Sequence, residues 1–268
     1  MEKSTYIGLF LSVIAVGVGM VVKGASLSAL FNPAAFLIIF VGTAATIFIA
    51  FPMAEVKKLP KLFGIIFKEQ PLPSKRDLIT QFMNWASIAR REGLLALESS
   101  SDEIEDPFLK NGMKMIIDGG EPEFVRDVLN EEIHAIEERH QGGALIFTQA
   151  GTYAPTLGVL GAVIGLVAAL GNLSDIEKLG HSIAAAFIAT LLGIFSGYVL
   201  WHPFANKLKR KSKQEIAIKT IMVEGLLSIQ AGVSPAAIEQ KLMVYLPPSE
   251  RVEAQAGEKK EEAAAANG

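Results

Sequence analysis

Four stretches of this 268-residue chain run for about the thickness of a bilayer core without one Asp, Glu, Lys or Arg. They cover residues 6–22, 33–51, 152–170 and 182–201, and they constrain the fold more than any other feature. A helix is the only open-ended structure that satisfies its own backbone in hydrocarbon, so each stretch predicts a transmembrane helix. The first could pass for a signal peptide. Its leading segment offers only Lys3, its apolar run is too long and no A-x-A site follows, so a retained anchor is expected. Composition agrees with a membrane chain carrying a sizeable water-exposed part: half of the residues are hydrophobic and only 20% are charged.

Several function classes drop out at once. Without cysteine there is no disulfide framework, thiol nucleophile or cysteine metal site. A net charge of −3 argues against nucleic acid as a partner. His134, His140, His181 and His202 have no metal-ligand spacing, and no nucleophile–base pair or phosphate loop is visible, so no enzyme is expected. Orientation follows from Lys and Arg: 12 lie in 52–151 and 10 lie after Trp201, whereas the short connections 23–32 and 171–181 hold one each. Both termini and the large loop are therefore expected in the cytoplasm.

The soluble part reads as helical. Ser74 with Asp77 forms an S-x-x-D start, and Leu78, Phe82, Trp85 and Ala89 make one apolar stripe at helical spacing. Asp106–Pro107 is an N-cap with proline at the first helical position, and Gly119–Gly120 is a stop. Pro122 opens a helix with Phe124, Val125, Val128, Leu129, Ile133 and Ile136 on its expected buried side, running toward the third span. A basic, then amphipathic helix follows over 207–230, with Gly232 as its stop and Ser234–Pro235 as the next start. No strand alternation of useful length occurs. The expected fold is an all-α polytopic membrane protein. It comprises a hairpin over 1–51, a cytoplasmic helical domain over 52–151, a second hairpin over 152–202, C-terminal helices over 203–247 and a disordered tail over 248–268.

The spans are most informative in what they lack. A pump, proton relay or voltage sensor needs an ionisable group at membrane depth, and here only hydroxyls are present: Ser12, Thr43, Thr46, Thr156, Thr190, Ser196 and Tyr198. Either this chain moves no ions, as a scaffold would, or another polypeptide supplies the titrating group. Gly158, Gly161 and Gly165 on the third span, with Gly193 and Gly197 on the fourth, allow close helix approach within the chain or between subunits. Pro155 and Pro203 stand where membrane and cytoplasm meet, as helix-end markers or bendable points. In RREGLLALE, Arg91 and Glu98 share a face of an uninterrupted helix, about 10 Å apart, unless Gly93 breaks it.

Three runs together resemble one family: AGTYAPTLGVLGAVIGLVAAL, ATLLGIFSGYVLWHPFANKLKRKS and RREGLLALE. They are similar to the MotA/PomA flagellar stator subunits, especially the proton-type members of Gram-positive bacteria, and the likeness extends to about Pro247. The resemblance implies a stator subunit that forms a proton channel with a MotB-type partner and turns ion flow into torque. It implies five copies around two partner subunits in the bacterial plasma membrane, with the partner's aspartate as the titrating group and the proton as coupling ion, without a cofactor. It places the contacts to the rotor protein FliG on Arg90, Arg91 and Glu98, and conformational coupling on Pro155 and Pro203. The family's ion-path positions fall on Ala162 and Thr190. Sodium-driven members carry threonine at both, so Ala162 departs from the sodium pattern. Dehydrated Na⁺ needs several oxygen ligands and a proton needs one acceptor. The alternatives are a sodium-driven PomA/MotP-like subunit, or an ExbB/TolQ-like energiser, whose three spans differ from the four here.

Overall fold

The computed structural model describes residues 2–251. Its main helices are α1 (Lys3–Val22), α2 (Leu27–Ala50), α3 (Leu59–Phe67), α4 (Lys75–Glu92), α5 (Pro107–Ile117), α6 (Pro122–Leu170), α7 (Ile176–Gln230) and α8 (Pro235–Leu242). No strand occurs among the described residues, and four helices are long and apolar enough to cross a membrane: α1, α2, α6 and α7. The expected tail lies mostly in 252–268, outside the described residues.

Sequence signals account for the helix ends. Ser74, Asp106 and Ser234 each accept a hydrogen bond from the backbone N–H three residues on, and proline occupies the first helical position after Asp106 and Ser234. Gly119 and Gly232 take φ values of 78° and 68°, which an L side chain resists, and they end α5 and α7. The apolar runs extend much further than the membrane requires. The third span is the last part of a 49-residue helix, and the fourth is the first part of a 55-residue one, both unbroken through 151–152 and 202–203. The helices run on even though Gly151 stands at the first junction and Pro203 at the second.

The chain forms two compact units. The first comprises residues 2–70 and Glu138–Ser212 and so contains all four apolar segments. Its densest region is aromatic: Phe63 meets Phe147 edge-on at 5.1 Å between ring centres, and Phe67 meets Phe204 at 5.6 Å. By contrast, α1 fully buries no residue: Leu9 is half-buried against the aromatic cluster and Tyr6 meets Phe67, and most of the remaining apolar surface of α1 is exposed.

The second unit comprises Pro71–Glu137 and residues 213–251 around a conventional hydrophobic core. Phe82, Leu97, Met113, Ile116, Leu129 and Leu226 are fully buried there. The stripe of α4 packs as its spacing predicts, with Leu78, Phe82 and Trp85 buried. On the part of α6 that belongs to this unit, Val125, Leu129, Ile133 and Ile136 are buried and Val128 is half-buried, while Phe124 is 59% exposed, contrary to expectation. Phe124 stands 100° around the helix from Val125 and misses the strip that faces the core.

Candidate functional site

The close helix pair in the membrane unit is built on glycine. A Cβ added to Gly193 would lie 2.7 Å from the Gly158 Cα, and one added to Gly158 would lie 2.9 Å from the Ala189 carbonyl. Gly161 and Gly165 bring α6 equally close to Ala189 and Ala186. These small residues therefore serve packing within the chain. Ala162 directly follows Gly161 and Thr190 directly follows Ala189, so both expected ion-path positions adjoin this seam, and each is half-buried.

The hydroxyls mostly bond their own helices. Ser12, Thr46, Thr156, Thr190 and Ser196 each donate to a carbonyl three or four residues back, at 2.7–3.3 Å. Thr190 gives its proton to the Ala186 carbonyl, leaving its oxygen free to accept. Buried Thr43 finds no partner. Outward from the seam, α6 and α7 present an apolar face that includes Val159, Val163, Ile164, Phe187, Leu191 and Ile194. No ionised group interrupts it.

Both expected coupling prolines sit at one locally weakened junction. Pro155 lies inside α6, where it cannot donate to the Gly151 carbonyl one turn back. Opposite, residues Ser196–Trp201 of α7 form a π-helical segment that widens the backbone just before Pro203. The two defects touch: a Cβ on Gly197 would lie 2.6 Å from the Pro155 ring and 2.8 Å from the Gly151 oxygen, and a Cβ on Gly151 would meet the His202 ring at 2.8 Å. This contact of proline against a π-segment through glycine was invisible in the sequence, because nothing in the composition marks a π-turn.

The second unit carries the three charged residues expected at the rotor contact. Arg90 and Arg91 are exposed in the last turn of α4, where a cation complements the helix dipole. The helix stops at Glu92, and Gly93 adopts φ 86°, so the uninterrupted-helix projection of Arg91 and Glu98 does not hold. A 3₁₀ turn, Leu94–Leu97, intervenes and is pinned by fully buried Leu97. Exposed Glu98 then opens the following turn. Among the described residues none of these three charges forms an ion pair, so all are free to meet a partner.

One charged cluster in the membrane unit escaped the sequence reading. Glu2 accepts from Lys207 at 2.6 Å and from Lys211 at 2.9 Å. The Lys211 ammonium also donates to the carbonyls of Ile65 and Lys68, neutralising the C-terminal end of α3. Hydrogen bonds from both lysines hold the Glu2 carboxyl well below its ordinary range, at about 2. The Glu2 N–H donates to the Phe67 carbonyl, so the start of α1 is tied to α3 and α7. Two donors more than 200 residues away in sequence from their acceptor leave no local signal.

Comparison with known proteins fits this architecture. The model of the MotA/TolQ/ExbB proton channel family matches residues 100–220, and that of the motility protein A N-terminal region matches residues 6–93. Motility protein A of Bacillus subtilis is 59% identical, over 98% of this chain and all of that one. Among solved structures, the flagellar MotAB stator complex from Bacillus subtilis superposes with a TM-score of 0.90, covering 94% of this chain and 99% of that one. That of C. jejuni MotAB gives 0.88 at 33% identity, covering 92% and 97%. A four-span helical membrane protein is thus defined. The chain belongs to the MotA/TolQ/ExbB proton channel family, in its motility protein A branch.

Proposed function

We propose that this chain is the A-type subunit of a flagellar stator, forming an ion channel with a MotB-type partner and converting ion flow into torque on the rotor. One observation carries the reading: a member of a proton channel family has no Asp, Glu, Lys or Arg in its four apolar segments. The titrating carboxylate therefore comes from the partner, and the exposed apolar face of α6 and α7 is the surface that would surround it. In that low-dielectric setting the charged carboxylate is costly and protonation relieves the cost.

The coupling ion is the proton. Ala162 offers no oxygen where a sodium site would need one, and Thr190 alone supplies a hydroxyl. Each charge crossing the field releases about 2.3 kcal/mol per 100 mV. That suffices to switch a bistable interface and is far too little to unfold a core. The Pro155–Gly197 contact is the place where such a bias can bend α6 and α7. Both helices continue covalently into the second unit, whose free charges Arg90, Arg91 and Glu98 then press on complementary charges of FliG. Five copies around two partner subunits, in the plasma membrane with both termini cytoplasmic, complete the reading. The weight of Lys and Arg outside the short connections supports that orientation.

Proton flux into vesicles is the direct test. Co-reconstitution with an unplugged MotB-type partner gives flux and the chain alone gives none; robust flux from the chain alone overturns the proposal. The four membrane-length helices favour this reading over a three-span ExbB/TolQ-like energiser.

A further inference from the structure

Between the first turns of α1 and the middle of α7 lies a cavity of about 420 Å³. This is within the 300–1,000 Å³ range of ligand sites. Its walls are graded. Ser4, Thr5 and Lys207 line one end, whereas Gly8, Leu9 and Val199 line the other. Along α1 the order 4, 5, 8, 9 leads into the apolar run, and along α7 the order 207 to 199 leads into the opposite end of its apolar run. Both walls therefore change from polar to apolar in the same direction across the membrane boundary, which is the polarity of a lipid.

Charge selects the headgroup. Lys207 and Lys211 share one carboxylate, Glu2, so this cluster at the polar end of the cleft carries one excess positive charge. The Lys207 ammonium donates to Glu2 and to the Ser4 hydroxyl at 3.1 Å. Its third N–H is left for another acceptor. The room below is made by Gly8, whose added Cβ would meet no atom within 4 Å. Water fits the apolar end poorly, since it offers no partners there. We propose that this cleft binds one anionic phospholipid of the cytoplasmic leaflet, its phosphate at Lys207 and Ser4 and the start of an acyl chain beside Gly8 and Val199. Pro203 and Tyr198 line the same cleft, so the lipid lies directly against the π-segment junction and ties its bending to membrane composition. The inference needs α1 and α7 to span the membrane, but it does not depend on torque generation.

Native mass spectrometry of the purified complex with its MotB-type partner tests it, using dioleoyl phosphatidylglycerol against dioleoyl phosphatidylcholine. Phosphatidylglycerol is retained at one per copy of this chain, about fivefold more tightly than phosphatidylcholine, as one lysine near a phosphate provides. Gly8→Leu, whose Cβ meets no atom within 4 Å, takes up part of the cleft and abolishes retention while helix content and partner co-purification stay unchanged. Lys207→Gln removes the preference for the anionic lipid. Equal retention of both lipids overturns the proposal, as does unchanged retention in Gly8→Leu. A structure of the assembled complex with a neighbouring copy's side chains in the cleft also overturns it. So does glycerol phosphate that competes as well as the intact lipid, since a headgroup alone would then account for the binding.

Discussion

Single side chains divide into those whose setting is local and those whose setting depends on a distant partner. Arg90, Arg91 and Glu98 belong to the first group: they are exposed, unpaired and stationed around a sharp glycine turn. Reversing Arg90 and Glu98 together should abolish most swimming in soft agar while the chain still co-purifies with its partner; normal swimming would remove them from the rotor contact. Ala162 makes an equally direct prediction: swimming speed at fixed pH should not change with external sodium, and a speed that follows sodium would refute proton coupling. Glu2 belongs to the second group. Its carboxyl titrates at about 2 when folded, against an ordinary value of 4.5. A depressed carboxyl stabilises the fold above the ordinary value and loses that contribution as pH falls from 4.5 toward 2. The melting temperature in detergent should therefore be flat near neutrality and drop across that acid window. Glu2→Gln should lower it at pH 7 and flatten the acid decline.

At the scale of elements, short-range signals predict starts and stops well and continuity poorly. Ser74, Asp106, Ser234, Gly119 and Gly232 mark ends because each satisfies or permits a specific backbone geometry at its own position. The joining of the third span to the helix from Pro122, and of the fourth to the helix over 207–230, passes through Gly151 and Pro203, whose types suggest an end that the helix does not take. A glycine or proline there weakens the helix without ending it, because the packed neighbours hold it in place. The glycine seam makes the element-scale prediction. Gly197→Leu places a side chain where the Pro155 ring and Gly151 oxygen already stand, so it should cost about 1–3 kcal/mol by overpacking. Gly142→Ala, with no atom near its added Cβ, should be neutral or stabilise by about 0.5–1 kcal/mol. Thermal melts of the two variants decide it. Equal behaviour would mean the junction yields easily.

For the molecule as a whole, two units with separate cores share two helices, and each unit holds one tryptophan: Trp201 in the membrane unit and Trp85 in the other. Met113 is fully buried in the second core, so Met113→Ala should destabilise that unit by about 2–5 kcal/mol. In denaturant titrations the Trp85 signal should shift to lower concentration and the Trp201 signal should not, read from Trp201→Phe and Trp85→Phe backgrounds. Coincident shifts would show a single cooperative block.

Composition and periodicity by themselves determined the all-helical class, the four membrane-length segments, the absence of an ionisable group within them and the capped ends of the soluble helices. These rest on interactions reaching four residues or fewer, or on hydrophobicity summed along one run, and both are written in the local order of residues. Tertiary structure alone decided that Gly158 and Gly193 pack within one chain, that Pro155 meets a π-segment through Gly197, and that Glu2 clamps Lys207 and Lys211. Each depends on atoms brought together from far apart in the sequence, and close approach is a property of the pair, which neither residue announces alone.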